Sequence, residues 1–129
     1  MSAERFAAGQ PRKRGIESLE VWWRARALTV LVYDQVAALP LRERYGLSDQ
    51  LRRAAVSVLA NIAEGHGRIG RAEFRHRVSI ALGSLTEVKS LLLVCTDVKL
   101  RTEDDIAPAL AEAERVGQML TRLAAALKG

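Results

Sequence analysis

The sequence predicts an all-α domain, an antiparallel up-down-up-down four-helix bundle. Three observations lead there. Helix breakers are few, 9 Gly and 3 Pro in 129 residues, and Ala, Leu, Arg and Glu are abundant. Four stretches carry apolar residues at alternating steps of three and four, the repeat of one helix face. The links between them are short, and short links make consecutive helices antiparallel neighbours. A chain of this length fits one domain and buries a core without disulfide or metal staples.

Residues 1–16 show no helical periodicity and read as a flexible basic tail, with Gly9, Pro11 and the run Arg12, Lys13, Arg14. The bundle domain takes 17–129. Its first helix is expected over 19–39. Ser18 is the candidate N-cap, worth about 1 kcal/mol, and Pro40 ends the helix because it disfavours helical geometry at Leu39. Leu19, Trp23, Val30 and Ala37 are read as one apolar face, with Trp22, Ala27, Leu31 and Tyr33 beside it. Both tryptophans are read as anchors in the core or at a subunit contact. Residues 41–46 form a connector with at most one helical turn.

The second helix is expected over 49–64, capped by Ser48, with Asp49 at the positive end of its dipole. Leu51, Ala55, Val58 and Ile62 form its apolar stripe, spaced 4, 3, 4. Arg53, Ser57, Asn61 and Glu64 form a polar line on the same helix, and Ser57, Asn61 and Glu64 are read as a structural polar network. Gly65 is the expected helix stop. Gly65, Gly67 and Gly70 spell GxGxxG, but a dinucleotide site needs a preceding strand. Here a helix precedes it, so the glycines are read as a turn that lets two helices approach.

The third helix, 71–98, has a heptad seam at Phe74, Val78, Ala81, Leu85, Val88, Leu92 and Cys95. Leu91, Val94 and Val98 add a second apolar row. A helix apolar on two sides must bury more than one neighbour covers. Gly83 and Ser84 are small enough to admit another backbone. Cys95, the single cysteine, is read as a buried inert thiol, and such usage suits a reducing cytoplasm. After the link 99–102, Thr102 and Asp105 resemble a capping box. The fourth helix is expected over 103–127, its start pushed later by Pro108. Its apolar face is Ile106, Leu110, Ala113, Val116, Leu120, Leu123 and Leu127.

The strings RRAAVSVLANIAEGHGR (52–68) and IALGSLTEVKSLL (80–92) resemble the four-helix bundle proteins encoded within intervening sequences of bacterial 23S rRNA genes. That family is similar in turn to the accessory protein of diversity-generating retroelements. The resemblance runs over about 19–127. RRAAVS, ANIAEG and ALGSL are its specific parts. Many members carry proline where this chain has Leu59, so the kink that proline causes is not expected here. The resemblance implies a ring-shaped homo-oligomer, a homopentamer. It says little about biochemical activity. A reverse transcriptase is an implied partner only if the protein belongs to a retroelement, and RNA or a nucleoprotein complex is a partner suggested by the charge of the chain.

Charge singles out one region. Residues 1–77 hold 14 Lys+Arg against 8 Asp+Glu and residues 78–129 hold 6 against 7, so the whole net charge of +5 lies in the first part. Sixteen of the 20 cations are arginine, suited to planar contact with phosphate. Arg68, Arg71, Arg75, His76 and Arg77 crowd the second turn and the start of the third helix, where cations oppose the helix dipole. Together with Arg52 and Arg53, the arginines Arg68, Arg71, Arg75 and Arg77 form the candidate nucleic-acid-binding set.

Little points to catalysis. HExxH and CxxC are absent, and Glu73 and His76 form the Glu-x-x-His of di-iron bundles only once. Asp97, Glu103, Asp104 and Asp105 are acidic, but three of them sit where a helix N-terminus favours carboxylates. No enzyme activity, metal or cofactor is expected. The longest apolar run falls short of a membrane span, no signal peptide is evident, and a cytoplasmic location follows. The sequence therefore favours a non-enzymatic, oligomeric, RNA-associated accessory protein. The alternative is a protein-binding scaffold without a nucleic-acid role.

Overall fold

The computed structural model describes residues 15–68 and 70–128. The expected tail over 1–16 lies outside the described residues up to position 14. The four helices are α1 (Glu20–Ala37), α2 (Leu47–His66), α3 (Arg71–Asp97) and α4 (Glu103–Leu127). Two 3-10 turns, Ile16–Ser18 and Leu41–Glu43, stand at the entries to α1 and α2. There is no strand among the described residues. Each helix packs against the one before and after it, and α4 closes on α1. The helices thus occupy the corners of a square in chain order, α1 diagonal to α3 and α2 diagonal to α4.

The predicted seams of α2, α3 and α4 supply most of the core. Leu51, Ala55, Val58 and Ile62 are buried, as are Val78, Ala81, Leu85, Val88, Leu92 and Cys95. Ile106, Ala113, Val116 and Leu120 complete it from α4. Removing such side chains from water stabilises the fold by about 1.5–3 kcal/mol each. Burial also pushes the Cys95 thiol above its ordinary pKa.

On α1 the predicted face is wrong. Val21, Ala25, Leu28 and Val32 are the buried set, while Val30 is 61 % exposed and Tyr33 is exposed beside it. The middle of α1 is apolar on two sides, so periodicity fits either face. Polar contacts to α4 are made from the buried orientation: Arg24 lies 3.8 Å from Glu112, and Gln35 donates to Asp105 O at 2.9 Å. Arg101 Nε in turn donates to Gln35 Oε1 at 2.8 Å. Trp22 packs against the core, and Trp23 donates its indole N–H to Glu17 O at 3.0 Å. Arg26 lies over both rings.

Helix ends bring further corrections. Ser18 is no cap; its hydroxyl donates to Gly15 O at 2.8 Å within the 3-10 turn. Ser48 is no cap either, because α2 starts one residue earlier and buries it. Glu43 serves instead, accepting from Leu47 N–H at 3.3 Å. Gly65 does not stop α2, which runs on to His66. It is buried against Phe74 and Arg77 of α3, and Gly70 takes the positive φ of the turn, 110°.

The Thr102 capping box forms as expected. Thr102 Oγ1 accepts from Asp105 N–H at 3.1 Å, and Asp105 Oδ2 accepts from Thr102 N–H at 2.8 Å. These bonds hold the Asp105 carboxyl below its ordinary pKa. With that cap in place α4 starts at Glu103 and runs unbroken through Pro108. At the other side of the link, Leu100 N–H reaches Cys95 O and Lys99 N–H reaches Thr96 O, the paired bonds that close a helix C-terminus. Lys99 takes the left-handed position, φ 64°, that glycine usually fills.

The expectation about membrane spans rested on unbroken apolar runs. Taken as a whole, α3 is long and apolar enough by length and composition to cross a membrane. Only 33 % of its most apolar window is buried, so much of that surface stays at the outside of the bundle. Gly83 faces open space, and the second apolar row grades outward from half-buried Leu91 and Val94 to exposed Val98. The close approach expected at Gly83 is therefore not made within the protomer.

Candidate nucleic-acid interface

The α2–α3 turn brings the end of α2, the start of α3 and the end of α4 together at one end of the bundle. Four of the six candidate arginines meet here. Arg68 pairs with Glu64, one turn back on α2, and both side chains are about half exposed. Such surface pairs contribute about 0–1 kcal/mol and exchange partners readily. Arg77 is more enclosed. Its Nη1 donates to Asn61 Oδ1 at 3.3 Å, and Glu73 lies 3.8 Å from its Nε.

Arg71 has a different kind of partner. Its Nη2 donates to the backbone carbonyl of Ala126 in the last turn of α4. A cation at that position satisfies an otherwise unpaired carbonyl and complements the negative end of the α4 dipole. This accounts for a cation at the start of α3: unfavourable for its own helix, it is favourable for the antiparallel neighbour. The carbonyl fixes the guanidinium without neutralising it. Arg75, one turn on, is exposed and has no carboxylate partner among the described residues, and His76 beside it is exposed too.

Arg52 and Arg53 do not join this group. Both pair with Asp49 in the first turns of α2, at 3.9 and 2.9 Å. At about 1.5 Å of rise per residue they stand some 20 Å or more along the helix from Arg68.

The polar network forms with a changed membership. Ser57 and Ser84 hydroxyls are 2.7 Å apart across the α2–α3 contact. Asn61 Nδ2 donates to Ser57 O at 2.9 Å and lies 3.2 Å from Ser57 Oγ. Arg77 joins from α3, whereas Glu64 and Arg53 turn away to their own ion pairs. The network ties α2 to α3, the role expected of half-buried polar groups that must be satisfied.

Sequence reading missed the α1–α2 connector. There Leu41 and Tyr45 are 79 % and 83 % exposed, and the Arg44 guanidinium carbon lies 5.4 Å from the Tyr45 ring centroid. The string LRERY carries the aromatic ring and the cations, but read as a connector it points to no site. Among the described residues no group of three His, Cys, Asp or Glu side chains converges as a metal site would.

A model of the 23S rRNA-intervening sequence protein family matches residues 17–122. No curated protein matches the sequence. Among solved structures, the chain is similar to a protein of unknown function from the S23 ribosomal protein family of Bacteroides thetaiotaomicron VPI-5482. The two share 20 % identity over 81 % of this chain and 94 % of that one, with a TM-score of 0.75. At that identity the likeness establishes the four-helix fold alone.

Proposed function

The chain belongs to the 23S rRNA-intervening sequence protein family, and from that premise we propose that it is a self-associating, non-catalytic bundle that binds RNA. The contact surface is the end of the bundle where α3 begins. The observation that carries this reading is the pairing of Arg71 with a carbonyl rather than a carboxylate. Its charge is held in place with no carboxylate partner among the described residues, next to Arg75, which also has none among them, and to Arg68, whose pair with Glu64 is exposed. Backbone N–H groups at the start of α3 add partial positive charge at the same place. Phosphate fits this arrangement, and the arginine-rich first part of the sequence agrees with it.

Self-association is supported by where the unspent apolar surface lies. Val30 and Tyr33 are exposed on α1, and Leu93 on α3. These two helices are diagonal in the bundle, so the two apolar patches lie on different sides of it. Unlike faces on different sides join head to tail, and such contacts close rings when the rotation allows. That is the assembly implied by the resemblance, in which five copies form the ring and repeat the arginine cluster around its axis. The same exposed faces favour the second reading, a protein scaffold without RNA.

Anisotropy titration of labelled RNA separates the two. RNA binding predicts an affinity that falls steeply with salt and drops in an Arg71→Gln, Arg75→Gln double variant. Binding that ignores both salt and these substitutions contradicts it.

A further inference from the structure

The connector Leu41-Arg42-Glu43-Arg44-Tyr45 mixes charges in sequence, but the fold sorts them by direction. Glu43 turns toward the start of α2, where its carboxylate accepts the Leu47 N–H that no N-cap side chain serves. Leu41 and Tyr45 are the most exposed large apolar side chains among the described residues. Arg42 and Arg44 have no carboxylate partner among the described residues, and Arg44 lies against the Tyr45 ring at 5.4 Å. The outward surface is therefore an aromatic ring, an aliphatic chain and two cations, with the one acid of the segment turned in. Lys99, in the α3–α4 link at the same end of the bundle, adds a third cation without a carboxylate. Exposed acids stand at the same end of the bundle, Asp97 before the α3–α4 link and Glu103 and Asp104 after it, so the cationic character belongs to the connector's own surface and not to the whole end.

We infer that this connector is a contact for single-stranded nucleic acid, with Tyr45 stacking on an unpaired base and Arg42 and Arg44 meeting the flanking phosphates. Aromatic rings accept any base face, and cations beside them track the backbone. A duplex keeps its bases inside the stack and has no face to offer Tyr45. The inference rests on the RNA-binding reading and adds two things to it: a preference for unpaired strands, and a second contact at the end of the bundle opposite Arg71. An acidic protein segment would use Arg42 and Arg44 but gain little from the open face of the ring.

The test is anisotropy with a labelled single strand of about 16 nucleotides and the duplex of the same sequence, on wild type, Tyr45→Ala and Tyr45→Phe. The exposed position makes loss of fold easy to exclude by circular dichroism. Tyr45→Ala is expected to weaken single-strand binding roughly 5- to 150-fold, the range for one stacked base, while Tyr45→Phe retains it and duplex binding is unchanged. Unchanged single-strand binding by Tyr45→Ala overturns this inference and leaves the Arg71–Arg75 reading standing. Equal loss on strand and duplex also overturns it. A wild type that binds neither RNA overturns the RNA-binding reading itself. Tyr45-dependent binding of polyglutamate, with none of the single strand, overturns it in favour of an acidic protein partner.

Discussion

Gly65 of α2 lies so close to Phe74 of α3 that a Cβ built on it would sit 2.7 Å from Phe74 Cδ1. The same Cβ would be 2.9 Å from Arg77 Cβ, an atom close to the backbone that cannot swing aside. The glycine thus sets the spacing at which the arginine-bearing start of α3 meets α2. Gly65→Ala gains about 1 kcal/mol of helix propensity but overpacks the contact at a cost of about 1–3 kcal/mol. It is expected to lower the urea midpoint. Gly117→Ala is the contrast. Its Cβ would meet only the end of Leu85, at 3.2 Å, and that side chain can rotate, so the midpoint should hold or rise.

Lys99 closes α3 in a left-handed conformation that costs a non-glycine residue about 1–2 kcal/mol. Lys99→Gly removes the strain and keeps both closing hydrogen bonds, which use backbone atoms alone. Part of the gain is offset by the greater freedom of glycine in the unfolded chain. Thermal unfolding should show a Tm higher than that of wild type.

The Thr102 capping box makes stability depend on pH at the acid end. Asp105 titrates below its ordinary value in the folded protein because it accepts the Thr102 N–H and is paired with its hydroxyl. A depressed carboxylate contributes stability that is complete above the unfolded pKa, about 3.9, and is lost as pH falls through the folded value. The Tm gap between wild type and Asp105→Ala should be constant at neutral pH and close as the solution is acidified below the unfolded pKa. Thr102→Ala should cost about 1 kcal/mol at neutral pH.

Charging the outer apolar faces should break self-association without unfolding the protomer. Val30 is 61 % exposed on α1, and Leu93 is exposed on the diagonal helix α3. Val30→Glu and Leu93→Glu each remove one of two unlike faces. Each should yield smaller species by light scattering with unchanged helical circular dichroism. Mixing the two variants should restore a dimer through the intact face of each, which a two-fold contact between identical faces would not do.

Legibility followed the number of apolar faces per helix. α2 and α4 are one-sided, and spacing alone gives most of their buried residues; it omits Ala54 and Ala109, which are buried, and includes Leu110, Leu123 and Leu127, which are only half-buried. α3 was readable too, because its heptad seam is long enough to outweigh its second row. α1 was not: Trp23 and Val30 are bulkier than Ala25, yet the bundle buries Ala25 with Val21, Leu28 and Val32, in the orientation that also brings Arg24 to Glu112 and Gln35 to Asp105 on another helix. The same limit applies to the basic cluster. Spacing places Arg68, Arg71, Arg75 and Arg77 together, but only the tertiary fold tells Arg77, drawn into the Asn61 network, from Arg75, exposed and without a carboxylate partner among the described residues. That Arg71 serves the end of α4 is a contact across 55 residues, beyond any local pattern.

Sedimentation velocity of the protein with fluorescently labelled RNA addresses self-association and RNA binding together. The account predicts that protein and RNA travel in one boundary heavier than the 14.2 kDa protomer, and that raising salt or introducing Arg71→Gln with Arg75→Gln frees the RNA while the assembly persists. A protein that sediments as a monomer at physiological salt, with the RNA free beside it, would contradict it.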